Sequence, residues 1–282
     1  MTPAACVIGW PVEHSRSPLI HNYWLKACRV SGEYRREAVP PDQLRNFLES
    51  LVARGYVGAN LIFPHKEAAL AWSEPDDRAR AVGAANTLWL DDGVLRATNT
   101  DVEGFLDNLD VCVPGWDRSC ETAVVLGAGG AARAVVYGLL ERGTSNIVVI
   151  NRTPQRPQAI QQWFGSRVSI AAWEERDHWL GDARLLVNAT KLGMPGQPEL
   201  ALDVSRLPDG AAVADLVYVP LVTPLLRAVM ARKLRTADGL GMLFRQAVPQ
   251  FHRWFGKKPE ITKELRNLLE QNLSVPQPRS QE

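Results

Sequence analysis

The sequence has no surplus of either charge: 32 lysines and arginines stand against 31 aspartates and glutamates, a net of +1 over 282 residues. A nucleic-acid backbone is gripped by an excess of basic side chains, so nucleic acid is not an expected partner. Long apolar runs are also missing. No stretch approaches the roughly 18–20 residues that span a bilayer. Residues 1–11 are short in their apolar part and lack the basic start of a signal peptide. No membrane association is therefore expected. Cysteine is scarce, at Cys6, Cys28, Cys112 and Cys120, with no CxxC pair. That is too sparse for a disulfide scaffold and reads as reduced thiols in the cytoplasm. The histidines, His14, His21, His65, His178 and His252, form neither HExxH nor a Cys/His pair at zinc spacing, so no metal is expected. What is there is a globular composition, 46% hydrophobic and 22% charged. The length suits one large or two medium domains.

Strand-like and helix-like segments alternate, which predicts an α/β fold. Cys6-Val7-Ile8 reads as a short strand, and Ser17-Pro18 as an N-cap with proline at the first helical position, opening a helix through Ile20, Trp24 and Ala27. Strands are expected at 34–39 and 57–62. Between them a helix follows Pro40-Pro41-Asp42, with Leu44, Phe47, Leu48 and Leu51 at helical spacing. Asp91-Asp92-Gly93 between 87–90 and 94–98 signals a hairpin. The style then changes to a run of βα units, with strands at 122–126, 147–150, 185–188 and 212–216. A nucleotide-binding domain is therefore placed at 104–237. Two helices, about 240–255 and 260–273, follow it, and the polar, proline-containing end 274–282 is expected to fray.

The βα unit at 122–140 carries Gly127-Ala128-Gly129-Gly130-Ala131-Ala132, of the form GxGxxA, between a strand and a helix. Gly127 allows the tight turn, Gly129 lets backbone approach a pyrophosphate, and Ala132 permits close helix–strand contact. The helix N-terminus adds unpaired N–H groups for phosphates. The competing reading is a purely structural turn. An NAD site would place a carboxylate at the end of the next strand. This chain has Asn151-Arg152-Thr153 and then Arg156. Guanidinium groups suit a ribose 2′-phosphate, so NADP is expected rather than NAD, unless both arginines are merely solvated.

Several short motifs occur in a fixed order: Gly9-Trp10-Pro11 with His14-Ser15-Arg16-Ser17-Pro18; Gly58-Ala59-Asn60 ending in Pro64-His65-Lys66; Gly83-Ala84-Ala85-Asn86-Thr87; Asn99-Thr100-Asp101; the glycine loop; Asn151-Arg152-Thr153; Asn188-Ala189-Thr190 with Gly193-Met194; Asp215-Leu216-Val217-Tyr218; and Asp238-Gly239-Leu240-Gly241-Met242 followed by Gln246-Ala247. In this the chain resembles the shikimate dehydrogenase family along nearly its whole length. The resemblance implies a substrate-binding domain made of 1–103 and 238–282, a Rossmann domain for NADP at 104–237, and a cleft between them. It implies reversible hydride transfer between NADPH and 3-dehydroshikimate in aromatic amino-acid biosynthesis. Lys66 and Asp101 match the catalytic pair. Ser15, Ser17, Asn60, Asn86, Tyr218 and Gln246 match substrate-binding positions. Gly127, Ala128, Gly129, Gly130, Ala131, Asn151, Arg152, Thr153, Arg156, Thr190, Met194 and Gly239 match the cofactor site.

The chemistry suits these residue types on its own terms. Hydride transfer to a ketone leaves an alkoxide that needs a proton, and an ammonium group can give it while stabilising the charge. Serine and asparagine pair with hydroxyls without repelling a carboxylate. Alone, Lys66 would read as a surface lysine and Asp101 as the N-cap of the helix holding Phe105 and Leu106. Two positions depart from the family pattern. Ile62 stands where NVTxPxK has threonine, and Lys191 where a small serine is common. The first favours an alternative, a paralogue oxidising quinate or another cyclic hydroxy acid. A catalytically silent NADP-binding sensor would need a damaged catalytic pair. Small molecules are the expected partners, with the chain as a monomer or homodimer.

Overall fold

The computed structural model describes residues 2–274, so the expectation for the end of the chain lies, from residue 275 on, outside the described residues. The first part of the chain runs β1 (Ala4–Gly9), α1 (Ser17–Ala27), β2 (Glu33–Ala38), α2 (Leu44–Glu49), β3 (Tyr56–Leu61), β4 (Glu74–Pro75), α3 (Asp77–Val82), β5 (Thr87–Asp91) and β6 (Val94–Thr98). After α4 (Asp101–Cys112) come β7 (Thr122–Leu126), α5 (Gly130–Glu141), β8 (Asn146–Ile150), α6 (Gln155–Phe164), β9 (Val168–Ala171), α7 (Arg176–Trp179), β10 (Leu185–Asn188), β11 (Ala212–Asp215), α8 (Pro224–Ala231) and β12 (Arg235–Ala237). Two helices, α9 (Gly239–Phe255) and α10 (Lys263–Ser274), complete the order.

The strands form two six-stranded sheets. The first, in the order β2-β1-β3-β5-β6-β4, is mixed: β1 pairs in parallel with β2 and β3, and β5 runs antiparallel to β3 and β6. The second, β12-β11-β10-β7-β8-β9, is parallel throughout. Its order places the topological switch between β7 and β10, where ligands bind at the carboxyl ends of such strands. Helices cover both of its faces, which is why β7 reads as a continuous apolar run. Ala123 and Val125 pack toward Val135 and Leu139 of α5 and Phe105 of α4, while Val124 and Leu126 pack toward Leu225 and Val229 of α8.

The C-terminal helices return to the first sheet. Phe244 and Phe251 of α9 and Leu265 and Leu269 of α10 share a core with Ile20 and Trp24 of α1. Trp254 of α9 packs on the face of the first sheet that carries Ala5, Val7 and Tyr34, donating from Nε1 to the Leu88 carbonyl at 2.8 Å. The α4 helix is packed between this return and the second sheet, and so ties the lobes together.

Two capping expectations are corrected. Ser17 is already the first residue of α1; Arg16 occupies the cap position and no side chain caps the helix. Asp101 is likewise the first residue of α4, behind Thr100, and caps nothing. In both cases helical backbone begins one residue earlier than a cap would allow, which leaves the side chain available to the cleft.

Candidate active site

Lys66 follows β3 and Asp101 opens α4, and the fold brings them together. Lys66 Nζ lies 2.5 Å from Asp101 Oδ2, with the carboxylate side chain only 7% and the lysine side chain 17% exposed. The neighbouring His65 turns the opposite way, into the core, where its Nε2 lies 2.8 Å from the Val39 carbonyl oxygen. Burial holds the His65 imidazole below its ordinary value. The other Asp101 oxygen accepts from Asn86 Nδ2 at 2.9 Å, and the Asp101 N–H donates to Asn99 Oδ1 at 3.0 Å. The carboxylate is thus oriented by an amide on one side and an ammonium on the other.

Lys66, Asn86 and Asp101 line a cavity of about 400 Å³ between the lobes. Ser15, Ser17, Asn60, Lys66, Asn86, Asp101, Tyr218 and Gln246 all line it, although they come from six separate stretches of chain. Each polar group is anchored from behind. The loop carrying the serines is fastened by Arg36, whose Nη2 donates to the Ser15 carbonyl at 2.8 Å, and the Ser17 N–H donates to Ser15 Oγ at 3.3 Å. Asn60 accepts at Oδ1 from the Tyr34 hydroxyl and donates from Nδ2 to the Asn86 carbonyl at 3.2 Å. Asn86 Oδ1 accepts from the Thr100 N–H and from Thr87 Oγ1, both at 2.8 Å. Burial pushes the Tyr218 phenol up, so it stays protonated and able to donate.

Next to this cavity lies the switch crevice of the parallel sheet. Gly127 leaves β7 at φ +110°, a conformation L side chains rarely adopt, and a Cβ there would fall 2.8 Å from the Ala189 carbonyl oxygen after β10. A Cβ on Gly129 would meet nothing within 4 Å, so backbone at the start of α5 is open to a ligand, and no side chain caps that helix. At the end of β8, Arg152, Thr153 and Arg156 are exposed. Among the described residues neither guanidinium has an ion pair, and Asn151 Nδ2 donates to the Thr153 carbonyl at 3.1 Å, bracing the turn. An open N-terminus for a pyrophosphate and two free cations where a carboxylate would exclude a 2′-phosphate fit NADP. Thr190 is set by Asn188, whose Oδ1 accepts from its hydroxyl at 2.7 Å. Of the expected cofactor positions, Ala131, Met194 and Gly239 line the cavity itself; Gly127, Ala128, Gly129, Gly130, Asn151, Arg152, Thr153, Arg156 and Thr190 do not.

Both departures from the family pattern face the site. Ile62 lines the cavity, as does Lys191, which also sets its ammonium 3.8 Å from the centroid of the Phe63 ring on the opposite lobe. Burial draws the Lys191 ammonium below its ordinary value. Sequence reasoning missed the supports. Thr87 and Thr100 sat inside the quoted motifs, and their hydroxyls were the available signal. Tyr34 left none, because a tyrosine in a strand is ordinary.

A lysine–carboxylate pair lining an interlobe cavity, beside the switch crevice of a parallel sheet, defines the class: a dinucleotide-dependent oxidoreductase. Three family models match the chain: the shikimate dehydrogenase substrate binding domain at residues 7–88, shikimate / quinate 5-dehydrogenase at 115–195, and the shikimate 5′-dehydrogenase C-terminal domain at 239–269. A shikimate dehydrogenase (NADP(+)) of Rhodopseudomonas palustris is 59% identical over 271 residues, covering 96% of this chain and 97% of the relative. That of Nitrobacter hamburgensis is 57% identical over 275 residues, 98% of this chain and 96% of the relative. Among solved structures, shikimate 5-dehydrogenase of Thermus thermophilus in complex with NADP(H) and shikimate superposes with a TM-score of 0.84 at 36% identity, covering 97% of this chain and 100% of that one. Quinate dehydrogenase of Corynebacterium glutamicum in complex with NAD gives 0.86 at 31%, covering 95% and 99%. The chain belongs to the shikimate dehydrogenase family, and within it to the NADP(+)-dependent shikimate dehydrogenases.

Proposed function

We propose that the chain catalyses reversible reduction of 3-dehydroshikimate to shikimate with NADP, and that its division of labour follows the two sheets: 1–103 and 238–282 bind substrate and 104–237 bind the nucleotide. The observation that carries this reading is the Lys66–Asp101 pair at 2.5 Å within the interlobe cavity. NADPH, when bound, supplies the hydride. Lys66 then gives a proton to the developing alkoxide and stabilises its charge, and in the oxidative direction the uncharged amine takes that proton back. Asp101 holds Lys66 in place and accepts from a substrate hydroxyl. Ser15, Ser17 and Tyr218 donate to the carboxylate and neighbouring oxygens, and Asn60, Asn86 and Gln246 pair with hydroxyls. Gly127, Ala128, Gly129, Gly130 and Ala131 would hold the pyrophosphate, and Asn151, Arg152, Thr153 and Arg156 the 2′-phosphate; Thr190, Met194 and Gly239 complete the nucleotide set.

A second reading, oxidation of quinate or another cyclic hydroxy acid, rests on Ile62 in the cavity wall. The silent sensor gains no support, since the catalytic pair is intact. Small molecules are the partners of such an enzyme, acting as monomer or homodimer. Free thiols at Cys6, Cys28, Cys112 and Cys120 suit the cytoplasm. No helix among the described residues is long and apolar enough to cross a membrane.

The test is a panel of shikimate and quinate with NADP and with NAD, on wild type and Lys66→Ala. The expected result is highest kcat/KM with shikimate and NADP. Loss of the lysine should lower kcat by about 10²–10⁴-fold with little change in KM. Equal or better kcat/KM with NAD overturns the cofactor assignment. A Lys66→Ala enzyme with near-normal kcat overturns the mechanism.

A further inference from the structure

Gln250 stands one helical turn beyond Gln246 on α9. It is fully buried, at 0% exposure, and does not line the cavity. Its Nε2 nevertheless lies 2.5 Å from Gln246 Oε1, 2.8 Å from Thr100 Oγ1 and 3.1 Å from Thr87 Oγ1. One amide therefore meets acceptors from α9, from β5 and from the residue ahead of α4. Its orientation follows from chemistry, because a carbonyl oxygen only accepts and Gln246 Oε1 must face an N–H. That same Gln246 oxygen accepts from Asn86 Nδ2 at 3.3 Å. With its carbonyl end held by two donors, Gln246 spends one N–H on the Leu243 carbonyl at 2.9 Å and keeps the other for the cavity it lines.

The opposite end of the Gln250 amide turns toward the core. Its Oε1 faces the ring of His21: the two make no hydrogen bond of full geometry, yet Gln250 is the side chain whose hydrogen bonding bears on that imidazole. A buried amide needs partners at both ends; here the N–H end has three acceptors in reach and the carbonyl end has only the His21 ring. The N–H end therefore carries most of the partners of this amide, and it is the end that reaches the groups behind the site.

We propose that Gln250 is a positioning residue: it locks the Gln246 amide so that an N–H, not a carbonyl, faces the substrate, and it braces the Thr100–Asn86 link that orients Asp101. This rests on the assignment of Gln246 to the substrate site. Gln250 acts through Gln246 and touches neither substrate nor cofactor.

The experiment is steady-state kinetics on the full chain for wild type, Gln250→Met, Gln246→Ala and the double variant, with KM measured for shikimate and for NADP and folding checked by thermal melts. Gln250→Met should raise KM for the acid about tenfold and leave KM for NADP within about twofold. On a Gln246→Ala background it should add less than about twofold, because its route is already cut. Gln250→Leu replaces the methionine variant if that one melts below the assay temperature. Additive effects in the double variant, or a folded variant with unchanged KM for the acid, overturn the proposal. So does an equal rise in both KM values, the mark of a purely structural role. Wild-type rates on the acid panel test the activity itself, and ratios of variant to wild type on whichever acid turns over test Gln250, so the two ideas fail separately.

Discussion

Ile62 decides how the substrate wall is made. Its side chain lies so close to Gly9 that a Cβ there would fall 2.4 Å from Ile62 Cγ1, so the glycine on β1 makes room for the branched residue after β3. The position also lines the cavity, where a threonine would offer a hydroxyl and the isoleucine offers none. Ile62→Thr should restore one hydrogen bond and lower KM for shikimate roughly 5- to 10-fold, with KM for NADP unchanged. An unaltered KM for shikimate would mean that the side chain serves Gly9 alone. Residue types at the site were readable in the motifs, because proton transfer and hydroxyl recognition restrict which side chains can serve. The capping roles of Ser17 and Asp101 were misread, because preference for the cap position is a statistical tendency that a nearby polar cavity outweighs.

At the level of elements, the crossing of α4 and α9 sets the depth of the site. A Cβ on Gly104 would come 2.6 Å from Gln246 Cβ and 2.8 Å from its backbone nitrogen, so the helices touch through the missing side chain. Gly104→Ala would force α9 away. It should destabilise the fold by about 1–3 kcal/mol and raise KM for the acid, since Gln246 and Gln250 ride on α9. Urea unfolding together with KM checks this; wild-type values for both would show that the helices adjust freely. Strands with a strong apolar run were found within a residue or two, as at β7 and β10. The strands not anticipated, β4, β9 and β12, lie at sheet edges, and β4 has only two residues. Edge strands bury little, so their alternation is weak.

For the molecule as a whole, the core under α1 and α9 contains an imidazole that must stay neutral. His21 is completely buried, stacked on Tyr34 with centroids 4.2 Å apart and edge-on to Trp24 at 5.7 Å. Burial pushes its pKa down to about 3. The unfolded chain keeps an ordinary imidazole near 6.5, so between these values it binds a proton that the folded state refuses. Stability therefore falls as the pH falls below about 6.5, with His65 acting in the same direction. At about pH 5 the His21 contribution alone is a loss of about 2 kcal/mol. His21→Phe should flatten the fall in Tm from about pH 7 to about pH 5; parallel Tm–pH curves for variant and wild type would remove His21 as the cause.

From the order of residues alone came the α/β class, the GxGxxA turn, the two arginines in place of a carboxylate, and the identity of the polar groups that line the cavity. All of these are encoded within a few neighbouring positions, by backbone freedom, apolar period and side-chain charge. Tertiary structure alone decided which donors and acceptors meet. Lys66 and Asp101 are 35 residues apart and Asn86 and Gln246 are 160 apart, yet each pair is within hydrogen-bonding distance. Hydrogen bonds of that kind depend on where packed helices and sheets place atoms to within a few tenths of an ångström, and that placement is a property of the whole core.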